Sequence, residues 1–308
     1  MAVTQTEEQE IKPASSVTNF SMRDGFPWWL LVMLGIIGWM VVLVLTSEEY
    51  QEAFTEIIPG LGATLRLTVA AFIVSMVLGV LLGIARMSEK PWVNTPATVY
   101  IEFIRGVPMI VFVFAVALMI IPESIKAFNG WFGTEIKTRS VSNIWRGGIA
   151  LSLFYAAFIA EVVRAGIQSV PVGQIEAGKA LGLSGRQVMR RITLPQAIRN
   201  TLPALGNDLI ALMKDTSLVS VIAAAELTYN ARIYQGSSFR IRETFFILMV
   251  IYVTLTLLLS LALRLIESRM ETPRRLSSQE RVAARVIAGV FAIAVGWLFF
   301  GFPLFGLG

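Results

Sequence analysis

Long apolar runs separated by short charged stretches organise the chain. After a polar opening that holds Glu7, Glu8, Glu10 and Lys12, the first run covers residues 28–46. Further runs cover 64–85, 100–121, 145–163, 203–225, 244–263 and 286–305. Each is long enough to cross a hydrocarbon core of about 30 Å as a helix. Lipid offers the backbone no hydrogen-bond partners, so a spanning segment is either a helix or part of a closed barrel. Continuous runs, rather than short alternating ones, select helices. The expected fold is an all-α polytopic membrane protein with about seven transmembrane helices. Residues 1–27 read as a disordered cytoplasmic tail. The 28–46 run reads as an uncleaved N-terminal span, because its 19 residues exceed a usual signal core and no A-x-A cleavage pattern follows. A further C-terminal span is expected over 286–306, its end loosened by Gly301, Pro303, Gly306 and Gly308.

Charge placement orients these spans. With the N-terminus in the cytoplasm, 16 of the 26 Lys and Arg fall in cytoplasmic segments and only 6 in outer loops. Basic loops stay inside, so this orientation is the expected one. The first outer loop carries Glu48, Glu49, Glu52 and Glu56 and no base. The same bias accounts for the net charge of +5 without nucleic acid as a partner.

Composition then removes whole classes of chemistry. Hydrophobic residues make up 55% of the chain and charged residues 15%, well below the charge of a soluble domain. Zero Cys and zero His exclude disulfides, thiolate nucleophiles, Cys/His zinc sites and a Ser-His-Asp triad. No acidic cluster has metal-ligand spacing, and no Gly-x4-Gly-Lys-Ser/Thr loop is present to cradle phosphates. The chain is therefore expected to be no enzyme and to hold no cofactor. Any ATP and Mg would be bound by another chain.

The longest cytoplasmic loop, 164–202, is rich in helix signals. Pro171 precedes a short amphipathic stretch over 174–183 with Ile175, Ala180 and Leu181 as its apolar positions. Ser184 and Gln187 form a capping-box pair for a second helix over 187–193, which Pro195 should end or kink. The loop is thus expected to be a helix–turn–helix elbow. Within it, Glu176-Ala177-Gly178, Gly182 and Ile192-Thr193-Leu194-Pro195 have the spacing E-A-A-x3-G-x9-I-x-L-P, with Gly178 at the third position. This resembles the EAA motif of bacterial ABC importer permeases. The resemblance extends to Gly62-x-Thr64-Leu65, to the 100–108 segment Tyr-Ile-Glu-Phe-Ile-Arg-Gly-Val-Pro, to Ala160-Glu161-Val162-Val163-Arg164-Ala165-Gly166-Ile167, to Ser169-Val170-Pro171-x-Gly173-Gln174 and to Lys214-Asp215-Thr216-Ser217-Leu218. Together these are similar to the polar amino-acid uptake branch of the family, over about 60–270.

The resemblance implies an importer transmembrane domain at 60–270 whose coupling loop, 171–195, docks on a cytoplasmic ABC ATPase dimer. It implies a second permease chain, an extracytoplasmic amino-acid-binding protein and an amino-acid substrate, with membrane lipid around the spans. Transport would proceed by alternating access in the bacterial plasma membrane. Glu176, Ala177, Gly178, Gly182, Leu194 and Pro195 would couple to the ATPase, the small Gly178 letting another surface approach closely.

Polar residues inside the apolar runs are the remaining signal, since each charge at mid-span is costly. Lys214 and Asp215 are expected about halfway along their span, with Asn207 and Asp208 seven residues earlier on the same face. The stripe either lines a pathway in which a zwitterion meets both charge signs or is a Lys–Asp network that joins helices. Thr216 and Ser217 either donate hydroxyls to it or bond back within the helix. Glu102, Arg105, Glu161 and Arg164 lie near the cytoplasmic ends of their runs and are expected to form a charge clamp. Pro108 should kink the third span. The Gly79-x3-Gly83 pair fits close helix contact. The outer 122–140 segment, with Ile125, Phe128, Trp131 and Phe132 at helical spacing, is expected to lie along the membrane interface. The competing readings are a gradient-driven secondary transporter, which would need no docking elbow, and a non-transporting scaffold, which leaves Lys214 and Asp215 unexplained.

Overall fold

The computed structural model describes residues 28–270. The tail at 1–27 and the span expected at 286–306 lie outside the described residues. Within them the chain is helical and contains no strand. The first helices in order are α1 (Trp28–Thr46), α2 (Glu48–Ile57), α3 (Leu61–Arg86) and α4 (Pro91–Gly106). Then come α5 (Met109–Phe114), α6 (Ile121–Phe132), α7 (Asn143–Gln168), α8 (Val172–Ala180) and α9 (Gly185–Val188). The last are α10 (Leu194–Asp215), α11 (Leu227–Ser238) and α12 (Ile241–Met270).

Among the described residues, four helical stretches are long and apolar enough to cross a membrane: Glu48–Arg86, Met109–Phe132, Asn143–Gln168 and Ile241–Glu267. α1 matches the first expected run residue for residue. α10 also has the length, at 22 residues, but its polar positions dilute its apolar character.

The third run differs from expectation. Pro108 disfavours a helical conformation at Val107, which is extended at φ −98° and ψ 133°. The helix therefore breaks instead of kinking: residues 100–106 complete α4, and a new helix starts at Met109. α4 does not run away from α3, because Asn94 and Glu102, eight residues apart, both bond Arg86 at the end of α3.

Two other prolines sit in unbroken helical paths, each just after a π-helical turn. The turn Ala115–Ile120 precedes Ile121-Pro122, and Met189–Thr193 precedes Leu194-Pro195. In each, the residue before the proline donates its N–H five residues back, Ile121 to Val116 and Leu194 to Met189. A proline ring clashes with the carbonyl four residues back, and the wider π turn moves that carbonyl aside. Consequently Pro195 does not end the second elbow helix. The path from α9 runs through it into α10, and Pro203 is also held inside α10. Similarly, α6 continues the span that starts at Met109 and is no separate interfacial helix.

Two apolar cores hold the bundle. The larger gathers Ile101, Phe112, Val113, Leu151, Ala157 and Leu212 from α4, α5, α7 and α10. The smaller joins Ile57, Leu227, Ile247 and Ile251 from α2, α11 and α12. α3 and α7 approach closely at Gly79 and Gly83. A Cβ at Gly79 would lie 2.6 Å from Ile159, and one at Gly83 2.8 Å from the Ala160 carbonyl. The small-xxx-small pair is thus an internal helix contact. Ser75 adds to it, donating across to the Ser152 carbonyl at 3.1 Å.

Candidate functional site: an elbow, a charge clamp and a polar helix

The elbow is built by capping. α8 ends in a Schellman turn: Leu183 N–H donates to the Gly178 carbonyl and Gly182 N–H to the Lys179 carbonyl. Gly182 occupies the left-handed position this turn requires, at φ +78°. Two residues on, Ser184 and Gln187 complete the expected capping box, and α9 begins. α8 starts at Val172 and ends at Ala180, slightly earlier than the spacing suggests.

The elbow carries its own small core. Gly178 is buried, and a Cβ there would stand 2.6 Å from Ile192 Cδ1 and 3.3 Å from Val188. Its close contact is therefore with the second half of the elbow, not with another protein. Glu176 and Ala177 are exposed, as are Leu194 and Pro195. Leu181, expected among the apolar contacts, is 83% exposed, and Ala180 is exposed too, while Ile175 is half-buried. Val172, Glu176, Ala177 and Leu181 are all exposed but are spread around the short helix, so α8 is not the amphipathic stretch expected. Two side-chain bonds fix the elbow to the bundle: Gln196 donates to Gln174 at 2.7 Å and Asn200 to Ser169 at 2.8 Å.

The charge clamp forms, around a residue that sequence reasoning missed. Arg86, the last residue of α3, pairs with Glu102 on α4 at 2.7 Å and with Glu161 on α7. Arg164 bonds Glu161 at 2.7 Å and reaches Gln168 at 2.6 Å. The expected Glu102–Arg105 pair is loose, at 4.0 Å. Arg86 joins three helices. In the sequence it is one more cytoplasmic base, and positive-inside bias already explains it.

On α10 the four polar positions separate into two stripes. Seven residues restore nearly the same azimuth on a helix, so Asn207 aligns with Lys214 and Asp208 with Asp215, and the two lines stand about 100° apart. Asn207 and Lys214 are exposed. Among the described residues Lys214 makes no ion pair, and the Lys–Asp network, one of the two sequence readings, is not seen among them. Asp215 turns toward α7, where the Tyr155 hydroxyl donates to its Oδ2 at 2.7 Å. Asp208 is half-buried, and its Oδ2 is enclosed without a hydrogen-bond partner. Lys214 and Asp215 stand at the end of α10, where it tightens into the 3-10 turn Thr216–Ile222. Thr216 is buried and bonds back to the Met213 carbonyl at 2.6 Å, so its hydroxyl is spent inside the helix. Tyr155 was not legible as a partner, since it lies 60 residues from Asp215 among aromatics.

A second missed residue is Glu226, wholly buried where α11 begins. Its Oε1 accepts from the Tyr229 N–H at 2.8 Å, capping α11. Its Oε2 accepts from Tyr252 at 3.1 Å and Thr64 at 3.3 Å, and Thr64 in turn accepts from the Leu227 N–H at 3.2 Å. Gly60 presses on the same peptide, where a Cβ would meet Glu226 C at 2.6 Å. This lock joins α3, α11 and α12 at the end of α3 opposite Arg86. Among the described residues, no three Asp, Glu, His or Cys gather as a metal site.

Comparison with known proteins adds to this geometry. The chain is 33% identical over 220 residues to the probable glutamine ABC transporter permease protein GlnM of Bacillus subtilis (strain 168), covering 71% of this chain and 95% of that protein. It is 34% identical over 224 residues to the octopine transport system permease protein OccM of Rhizobium meliloti, covering 73% of this chain and 89% of the relative. A solved amino acid ABC transporter with histidines superposes at a TM-score of 0.61 and 36% identity, over 71% of this chain and 95% of the other. Residues 75–272 match the family described as binding-protein-dependent transport system inner membrane component, a stretch that takes in the clamp, the elbow and the polar helix. The chain belongs to that family, the membrane subunits of ABC transporters.

Proposed function

We propose that this chain is the permease subunit of an ATP-driven importer of polar amino acids, working by alternating access in the bacterial inner membrane. One observation carries the coupling: the helical path that starts in the elbow at Gly185 runs through α10 to the polar stripes without a break. The elbow is stiffened by its own core and presents Val172, Glu176, Ala177 and Leu181 outward. A short stiffened helix that exposes apolar side chains and one carboxylate around its circumference is suited to docking in a groove that closes about it. A cytoplasmic ATPase dimer that grips this helix, with ATP and Mg on its own residues, can move α10 through it.

The substrate class is supported by relatives named for glutamine, octopine, arginine and L-cystine transport. On α10, the exposed Lys214 and Asn207 offer a carboxylate partner, and Asp208 has an unused carboxylate oxygen nearby in sequence. Asp215 is already engaged by Tyr155 and belongs to the wall. A second permease chain completes the pathway, and an extracytoplasmic binding protein supplies the amino acid. The N-terminus and the 164–202 elbow lie in the cytoplasm, and 122–144 lies outside.

Uptake of labelled amino acid into vesicles containing the permease, its ATPase and the binding protein tests this reading. ATP alone, with ion gradients collapsed, is expected to drive uptake. Uptake that follows an ion gradient and ignores ATP would establish the secondary-transport alternative. Glu176→Lys is expected to leave the chain inserted and abolish coupling. Lys214→Met is expected to raise the KM for uptake in an assembled complex.

A further inference from the structure

We propose that the loop cradle at the end of α6 is a binding site for the headgroup of an anionic phospholipid, in the leaflet opposite the elbow. α6 and the 133–142 loop enclose an open cavity of about 650 Å³, lined by Lys126, Lys137 and Arg139 with Glu123, Asn129 and Thr138 among its other walls.

The cradle is a built structure. Asn129 accepts from the Ile136 N–H at 3.1 Å and the Thr134 hydroxyl at 2.7 Å, and donates to the Ile136 carbonyl at 2.8 Å. Gly133 turns the chain at φ +62°. From below, Arg146 donates to the carbonyls of Thr138, Val141 and Ala117 at 2.5, 2.9 and 3.2 Å. The segment that carries Lys137 and Arg139 is thus held at both ends.

Its positive charge is only partly compensated, by Glu123 in the wall and by Glu135 on the same loop. Glu123 is the one acid in the wall and stands 3.8 Å from Lys126. Among the described residues Lys137 and Arg139 have no ion-pair partner, and both are exposed.

Its depth points to lipid. The span Met109–Phe132 has 24 residues, about 36 Å of helix, so its last turns rise out of a hydrocarbon core of about 30 Å. α7 starts at this cradle and ends at the clamp and elbow, which puts the cradle at the other membrane face. Beside the cations on α6 stand Phe128, Trp131 and Phe132, exposed by 43%, 83% and 65%. Exposed aromatics flanked by Lys and Arg at a span's end are the composition of a membrane–water interface. A phosphate held by three cations, with its acyl chains running down the aromatic flank, satisfies both halves of this surface. The acidic face of a soluble partner would satisfy only the cations.

The test uses the full-length permease, purified with its partner subunits and examined by native mass spectrometry with added dioctanoyl phosphatidylglycerol or dioctanoyl phosphatidylcholine. The wild type is expected to retain the anionic lipid in preference. Lys137→Gln/Arg139→Gln should lose roughly fivefold in that preference for each cation removed, and Lys137→Arg/Arg139→Lys should keep it. Lys126→Gln gives the same readout from the helix side. An unchanged preference in the double variant would overturn the proposal. Displacement of the lipid by millimolar inorganic phosphate would reassign the cradle to a free anion. Retained lipid with weakened capture of a soluble binding protein would reassign it to that partner.

Discussion

The two ends of α3 are tied to the bundle by different chemistry. At Arg86 the ties are ion pairs of graded exposure: Glu102 is 54% exposed, whereas the Arg86 and Glu161 side chains are only 18% and 19% exposed. At Thr64 the tie is a single carboxylate, Glu226, with no exposure and with hydroxyl and N–H donors around it. Exposed pairs contribute little net stability, because water and salt compete for both partners. A buried carboxylate is costly to strand and geometrically exacting, because each lone pair needs its donor. The Glu102 arm of the clamp can therefore exchange partners at low cost, whereas the more sheltered Arg86–Glu161 pair is costlier to break and the lock holds α3, α11 and α12 as one block. In the alternating-access cycle proposed above, this would separate an elbow-side end able to re-pair from an opposite end held fixed.

The comparison breaks most sharply at Glu226. Glu226→Ala removes the α11 cap and strands the hydroxyls of Thr64 and Tyr252, and is expected to cost about 3–5 kcal/mol. The readout is the thermal unfolding midpoint of the purified chain, with Glu226→Gln retaining a large part of the loss. A smaller effect is expected for Gly60→Ala, about 1–3 kcal/mol, since the new Cβ meets the Glu226–Leu227 backbone and no flexible side chain can yield. The same melt measures it, and a wild-type midpoint would show that the lock tolerates displacement.

Arg86→Ala sharpens the contrast from the other end. It should cost about 1–2 kcal/mol at low salt, since Glu161 is sheltered but keeps Arg164, and raising the salt should shrink the share that belongs to the exposed Glu102 arm. The Glu226 variants should show no such salt dependence. Arg105→Ala is expected to be the mildest, within about 0.5 kcal/mol, since its nearest carboxylate is 4.0 Å away and both groups are solvated. A salt-insensitive loss at Arg86 as large as that at Glu226 would erase the distinction between the two ends.

What the sequence made legible follows from how local each signal is. Apolar runs locate α1, α3, α7 and α12 because burial in lipid depends on composition over one helix. The elbow's turn and capping box are legible because Gly182, Ser184 and Gln187 act within a few residues. The break at Val107-Pro108 was underestimated because the neighbouring residues are apolar on both sides. The α10 stripe was read as one line because charges 1 residue apart look adjacent in sequence, although a helix sets them 100° apart. Arg86, Tyr155 and Glu226 were missed for a different reason. Their partners lie 75, 60 and 162 residues away, and only the packed bundle brings them together. Gly178 shows the same limit: its smallness was legible, but not that Ile192 is what presses on it.

The π turn at Met189–Thr193 carries a consequence for the whole pathway. It amounts to one extra residue in an otherwise continuous rod, and one residue is 100° of azimuth. That single residue sets the compass bearing of Lys214 and Asp208 relative to α8. Removing it would leave elbow, helix and polar groups chemically intact while turning the stripes by more than a quarter of a circle. Tyr155 would then face another side of α10, and under the coupling proposed above a motion imposed at the elbow would reach a different wall. Under the proposed coupling, the angular phase between the elbow and the polar stripes would be stored in this one backbone turn.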